Sequence, residues 1–147
     1  MIVEVNDLNI ESAGAIHSAS WKASHRAFCS AEFVEKHTPA AQTAYIRREM
    51  EAGKRVFLLT DETPVGIISV FGSLIENLYV LPTAQCKGYG TQLLHFAVAH
   101  CAGTPTLWLL SNNDIAARMY AKNGFVKTGK IKQLNEKLYE YEMALTL

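Results

Sequence analysis

Two short stretches carry residue types that could do chemistry. The first is Gln85-Cys86-Lys87-Gly88-Tyr89-Gly90-Thr91, between an apolar run ending at Val80 and an amphipathic run that begins at Gly88. If the first run is a strand and the second a helix, the loop ends on N–H groups with no partner inside the helix. The helix dipole favours an anion at that place. Gly88 and Gly90 lack side chains, so a phosphate could approach the backbone closely, and Lys87 adds positive charge at the rim. The same residues also fit a plain strand–turn–helix junction. A Walker loop is excluded because the Gly-Lys-Ser/Thr ending is missing. A dinucleotide fingerprint is excluded because one Gly-x-Gly is present and it follows a meander, not the opening of a βαβ unit. Cys86 stands where a thiol can be activated, but no His is near in sequence, which favours a passive loop residue.

The second stretch is Asn113-Asp114-Ile115-Ala116-Ala117-Arg118-Met119-Tyr120, followed by Asn123-Gly124-Phe125. On a helix, Asn113 and Tyr120 share one face, about 10 Å apart along the axis. A ligand lying along that face could meet an amide and a phenol. Asn113 could equally cap the helix, and Tyr120 could be a core tyrosine.

These residues need elements to hold them. Residues 1–6 read as a strand and 8–26 as a helix, with Asp7 as N-cap candidate. A further helical region follows Phe28. Thr38-Pro39 is a good helix start, and Gly53 suits the far end of a helix reaching about Ala52. Arg55–Thr60 and Val65–Phe71 form a hairpin about Asp61–Pro64, and Leu74–Val80 continues the meander until Pro82. Gly88–Cys101 reads as a helix burying Leu94, Ala97, Val98 and Cys101. Thr106–Leu110 is a strand, Asn113–Lys122 a helix closed by Gly124, and Phe125–Thr128 opens another strand. The last strand, around Tyr139 to Leu145, alternates apolar and polar residues. The order β-α-α-β-β-β-α-β-α-β-β argues for a mixed sheet with helices on both faces.

The 147 residues fit one domain, 1–147. Fourteen basic and fourteen acidic residues cancel, so no strong field attracts nucleic acid or an anionic membrane. No apolar stretch is long enough to span a bilayer, and the first residues lack the pattern of a signal peptide. The three cysteines, Cys29, Cys86 and Cys101, are expected as reduced thiols in a cytoplasmic setting. No Cys/His cluster has metal-ligand spacing.

Gln85…Gly88…Gly90 after a strand, then Asn113…Ala116…Tyr120…Gly124-Phe125, resembles the GNAT family of N-acetyltransferases. The strand Ile75-Glu76-Asn77-Leu78-Tyr79-Val80-Leu81-Pro82 and the segment His17–Lys22 also look like their counterparts there. The resemblance runs over nearly the whole chain. It implies a mostly antiparallel sheet of about six to seven strands in the acyl-CoA N-acyltransferase fold. It implies acetyl-CoA as co-substrate, with its pyrophosphate on Gln85, Cys86, Lys87, Gly88, Tyr89, Gly90 and Thr91. Its pantetheine arm would meet the backbone of Leu78, Tyr79 and Val80, and Asn113 would contact the cofactor.

Tyr120 would be the general acid for the departing thiolate, and the Val80 N–H would stabilise the oxyanion. Glu76 is the candidate general base, directly or through a water, against a solvated strand glutamate as the plain alternative. Alternation puts Glu76 on the face of Leu78 and Val80 unless a bulge intervenes. Trp21 and His25 fall where the family lines its acceptor pocket. His25 departs from the aromatic residue that many relatives carry, and Trp21 fits a core position as well.

The acceptor implied is a small-molecule or peptide amine. A homodimer is common in the family, and the alternating last strand could pair across subunits. The competing readings are a non-catalytic acyl-CoA-binding module and, further off, a nucleotide-binding fold.

Overall fold

The computed structural model describes residues 1–146. Its elements are β1 (Ile2–Glu4), α1 (Ile10–His25), α2 (Ala31–Glu35), α3 (Pro39–Glu51), β2 (Arg55–Asp61), β3 (Thr63–Phe71), β4 (Leu74–Val80), α4 (Tyr89–His100), β5 (Thr106–Leu110), α5 (Asp114–Lys122), β6 (Phe125–Gln133) and β7 (Tyr139–Leu145). A 3-10 turn at Pro82–Ala84 leads out of β4. The strands form one sheet in the order β1-β2-β3-β4-β5-β7-β6. Among the described residues, neighbours run antiparallel except β4 and β5, which are parallel.

The local chemistry explains most boundaries. Thr38 caps α3, accepting from the Ala41 N–H (3.1 Å), with Pro39 in the first turn. Gly124, at φ +92°, closes α5 in a conformation that costs glycine little. Three corrections are needed. Asn9, not Asp7, stands at the start of α1; Asp7 instead pairs with Arg47 (2.9 Å). The short α2 makes three helices, not two, between β1 and β2. The strand β7 lies between β5 and β6 and is hydrogen-bonded on both sides, so it has no edge to offer a second subunit.

The sheet separates two apolar clusters. One face packs on α4 and α5, through Leu93, Leu94, Ala97, Tyr120, Phe125 and Met143. The other packs on α1 and α3, through Ile10, Ala13, Ile16 and Ile46. The α1–α3 contact is close because residue 14 has no side chain: a Cβ there would overlap the Thr43 hydroxyl and lie 2.9 Å from Thr43 Cα.

Unlike the first, the α1–α3 face also buries polar groups. His17 is 4% exposed, and Gln42 Nε2 donates to its Nδ1 (2.7 Å). Burial lowers the His17 pKa from 6.5 to about 4.

Two predictions follow from this packing. Gly14→Ala overpacks the helix pair and should cost about 1–3 kcal/mol, read as a melting temperature lowered by roughly 3–10 °C. The second concerns pH. The unfolded chain takes up a proton on His17 near pH 6.5, the folded chain only near pH 4. Stability is therefore unaffected by His17 above pH 6.5 and falls as pH drops from 6.5 to about 4, by about 3 kcal/mol in all. Denaturant melts of wild type and His17→Gln across that range should diverge toward acid pH, with the variant flatter. Parallel curves would refute the assignment.

Candidate functional site

The site begins where β4 leaves β5. The two strands pair only at Leu74–Thr106 and Ile75–Leu107. Beyond that point β4 keeps β3 on one side and has no strand on the other.

A bulge accompanies the divergence. From Ile67 to Ser69 on β3, the partner residues on β4 run from Tyr79 back to Glu76, so β4 carries one extra residue. Asn77, at the bulge, has φ +54°, a conformation that asparagine tolerates better than most residues. The bulge resets the alternation. Leu78 and Val80 pack with the α4 face, while Tyr79 joins the α1–α3 cluster. Glu76 is therefore not on the face of Leu78 and Val80.

Register fixes which backbone groups are free. The Leu81 N–H donates to Val65 O (2.9 Å), and Tyr79 pairs with Ile67 two residues back. In an antiparallel ladder the intervening residues point their N–H and C=O the other way. Those residues are Leu78 and Val80, and they face the opening toward β5. The Val80 carbonyl is already taken, accepting from Ser20 Oγ and Gln85 Nε2, both at 3.2 Å. The N–H groups of Leu78 and Val80 and the Leu78 carbonyl remain. Tyr79 has its backbone committed to β3.

At the top of the opening, α4 starts on Gly88 (φ +85°), and no side chain caps it. Its first N–H groups, Tyr89, Gly90 and Thr91, have no partner within the helix. A Cβ on Gly90 would lie 3.3 Å from Met119 Sδ and 3.9 Å from Val80 Cγ2. The missing side chain lets α4, α5 and β4 meet at this corner. Cys86 is exposed with φ +65°, and Lys87 is exposed at the rim. The Tyr89 hydroxyl donates to Asp61, tying the loop to the β2–β3 hairpin. Gln85 is turned inward onto Val80, a role its sequence position did not announce.

Tyr120 is 8% exposed, and its hydroxyl has no hydrogen-bond partner among the described residues. Burial pushes its pKa up to about 12, so it stays protonated through neutral pH. Burial, and after it the neighbouring phenols of Tyr45 and Tyr120, holds the Tyr79 hydroxyl above its usual pKa. Asn113 caps α5, its Oδ1 accepting from the Ala116 N–H (3.2 Å), which leaves its amide N–H₂ unengaged.

Glu76 lies on the α3 side. Its Oε1 is 2.6 Å from Lys54 Nζ, close enough for an ion pair though not aligned as a hydrogen bond. Lys54 also bonds Glu49 (2.8 Å). Burial alone would lower the Lys54 pKa, but its two carboxylate partners outweigh that and hold it above its usual value. Trp21 is stacked between His25 (centroids 4.0 Å) and His37 (3.4 Å), so neither ring face is open to a ligand.

A surface hollow of about 400 Å³ is lined by Asp61, Glu62, Thr83, Lys87 and Tyr89 among others, so it shares Lys87 and Tyr89 with the loop. Its two carboxylates argue against phosphate on that side. No group of three or more His, Cys, Asp or Glu that could hold a metal occurs among the described residues. No helix there is long and apolar enough to cross a membrane.

Sequence reasoning missed His17, Ser20, Gln42, Tyr45 and Ser69 as neighbours of the site. The signal was present: His17 and Ser20 fall on the inward face of α1, where apolar residues are the rule.

Known proteins share this fold. No curated protein sequence matches the chain. Among solved structures, a GCN5-related N-acetyltransferase from Rhodopseudomonas palustris is 25% identical and superposes with TM-score 0.76, covering 100% of this chain and 95% of its own. The PaiA N-acetyltransferase from Thermoplasma acidophilum, solved with coenzyme A, is 20% identical with TM-score 0.68, covering 97% and 96%. YncA from Salmonella typhimurium, a putative acetyltransferase by its description, solved with acetyl-CoA, is 19% identical with TM-score 0.71, covering 100% and 93%. The latter two likenesses speak to the fold alone. The model of the acetyltransferase (GNAT) domain matches residues 52–127, slightly over half the sequence and the part that holds β4, the loop, α4 and α5, and the chain belongs to the GNAT acetyltransferase family.

Proposed function

We propose that the chain transfers the acetyl group of acetyl-CoA to a primary amine, with both substrates bound together. Three unsatisfied features, borne by residues that pack in one cluster, carry this reading. They are the uncapped start of α4, the free N–H groups on β4 and the unpartnered Tyr120 hydroxyl.

The residues fit the co-substrate in order. The Tyr89, Gly90 and Thr91 N–H groups and Lys87 suit a pyrophosphate, and the Asn113 amide lies at the start of α5 for a further polar contact. The cofactor supplies a thioester whose acetyl group is activated toward amines. An extended arm descending from the α4 N-terminus meets Val80 before Leu78. The Val80 N–H is thus suited to the arm, and the Leu78 N–H to the negative charge that develops on the thioester oxygen. This moves the oxyanion role one free amide further than the sequence reading gave it.

Tyr120 holds a proton for the departing sulfur. A phenol near 12 is a weak acid for a thiolate in water, but the same dry surroundings raise the thiol's own affinity for a proton. Glu76 is neutralised by Lys54 and lies across the bulge from Leu78, so in this reading it accepts the amine proton only through water. The acceptor is a small-molecule or peptide amine that enters over the α1–α2 side, past Trp21 and His25. The Glu76–Lys54 pair also gives the non-catalytic acyl-CoA-binding module its one point of support.

Acetyl-CoA titration by calorimetry and thiol release with a panel of amines test the proposal. Tyr120→Phe should lower kcat by about 100-fold or more with KM for acetyl-CoA nearly unchanged, and Glu76→Gln by about 10-fold. Binding without turnover on any amine would transfer the chain to the binding-module reading. No binding at all would refute both.

A further inference from the structure

The α1–α3 face has five buried polar residues, His17, Ser18, Ser20, Gln42 and Ser69. Ser18 bonds the His37 carbonyl. The other four converge on the splayed half of β4. Ser20 holds the Val80 carbonyl. Ser69 Oγ accepts from Asn77 Nδ2 (3.3 Å), which also reaches the Tyr45 hydroxyl at 3.5 Å. Gln42 donates to His17 Nδ1, which leaves the ring proton on Nε2, and the Asn77 side chain faces that ring. Tyr45 and Tyr79 wall the imidazole at 5.3 and 4.7 Å.

Burying so many polar groups has no packing advantage over apolar residues of like size. A bulge alone does not require them either, since glycine adopts φ +54° without a side chain to anchor. Asparagine adds what glycine lacks, an amide that can be gripped. The grip matters because of covalent geometry. The Leu78 N–H belongs to the peptide group that follows Asn77, so rotation at Asn77 turns that N–H directly. Holding the Asn77 side chain fixes the direction of the donor before any ligand arrives.

We propose that His17, Gln42, Tyr45, Ser69 and Asn77 form a clamp that aims the Leu78 N–H into the opening. They are positioning residues, and none touches the reacting atoms. The consequence for turnover rests on the acetyl-transfer reading above, whereas the clamp itself does not.

Three variants test it: His17→Leu, His17→Gln and Asn77→Gly. Without ligand, the NMR order parameter of the Leu78 N–H should fall in His17→Leu and Asn77→Gly and return toward wild type in His17→Gln, which keeps a polar group beside Asn77. In steady-state kinetics the first two should lose kcat by roughly 10- to 100-fold. KM for acetyl-CoA should hold, because the α4 N-terminus and the Val80 N–H are untouched. Asn77→Gly is the decisive variant, since glycine accepts the backbone conformation and the fold should survive. A wild-type order parameter and wild-type kcat in Asn77→Gly would overturn the clamp. If wild type itself neither binds acetyl-CoA nor acetylates amines, the transfer reading fails, and the order-parameter measurement alone still decides whether the clamp exists.

Discussion

Beyond Ile75 and Leu107 the strands β4 and β5 part, and the molecule is organised around that separation. A strand deprived of a neighbour exposes backbone donors and acceptors that elsewhere are paired. Here the exposed row is handled unevenly. The Val80 carbonyl is satisfied from two sides by Ser20 and Gln85. The Leu78 and Val80 N–H groups are left free. Blocking an acceptor while sparing the donors is what a site for a carbonyl-bearing, extended ligand requires, because such a ligand brings its own acceptors. The uncapped start of α4 at the head of the same opening extends the row of donors into an anion cradle.

The two faces of the sheet divide the work. The α4–α5 face is apolar, and it holds Tyr120 dry enough to remain a phenol well past neutral pH. The α1–α3 face has an apolar base but carries imidazole, amide and hydroxyl groups beside the bulge. Electrostatics decides what Glu76 can do there. Its carboxylate lies 2.6 Å from Lys54 Nζ. Lys54 also bonds Glu49, so one ammonium ties both carboxylates to the α3 side of the sheet.

The regular elements were legible because each is governed by nearest neighbours along the chain. The bounds of β4 and β5 follow from Val, Ile and Leu runs stopped by Pro82 and the turn after Leu110. The loop and the α5 face stood out through their glycines, Asn113 and Tyr120, although the same residues fit a plain turn, a helix cap and a core tyrosine. The bulge was not, although Asn77 in an otherwise β-favouring run is a residue type that strands disfavour. Nor was the inward turn of Gln85, since a side chain's partner across a loop depends on where Val80 ends up. The fate of β7 was misjudged for the same reason. Alternation along a strand shows that one face is wetter than the other, but says nothing of whether its edges are paired.

The open edge on this side of the sheet belongs instead to β6, and its chemistry argues against self-association there. Lys127, Lys130 and Lys132 lie along it, and Gly129 (φ +97°) marks a local break in its register with β7. Two copies pairing antiparallel along β6 would bring lysines against lysines, and the break would spoil the ladder. The lysines are also occupied: Lys127 lies over Tyr141 at 5.0 Å and Lys132 over Trp108 at 5.4 Å. Trp108 is the β5 residue just past the last β4–β5 pair, so a cation from the sheet edge already rests beside the base of the opening. An acceptor ammonium arriving over that ring must displace Lys132 or approach from the α1 side. In the proposed reaction the second path brings it past the Trp21 and His25 rings toward the carboxylate of Glu76. If the chain transfers acetyl groups as proposed, selection among amines falls to the α1–α3 face and not to the sheet edge.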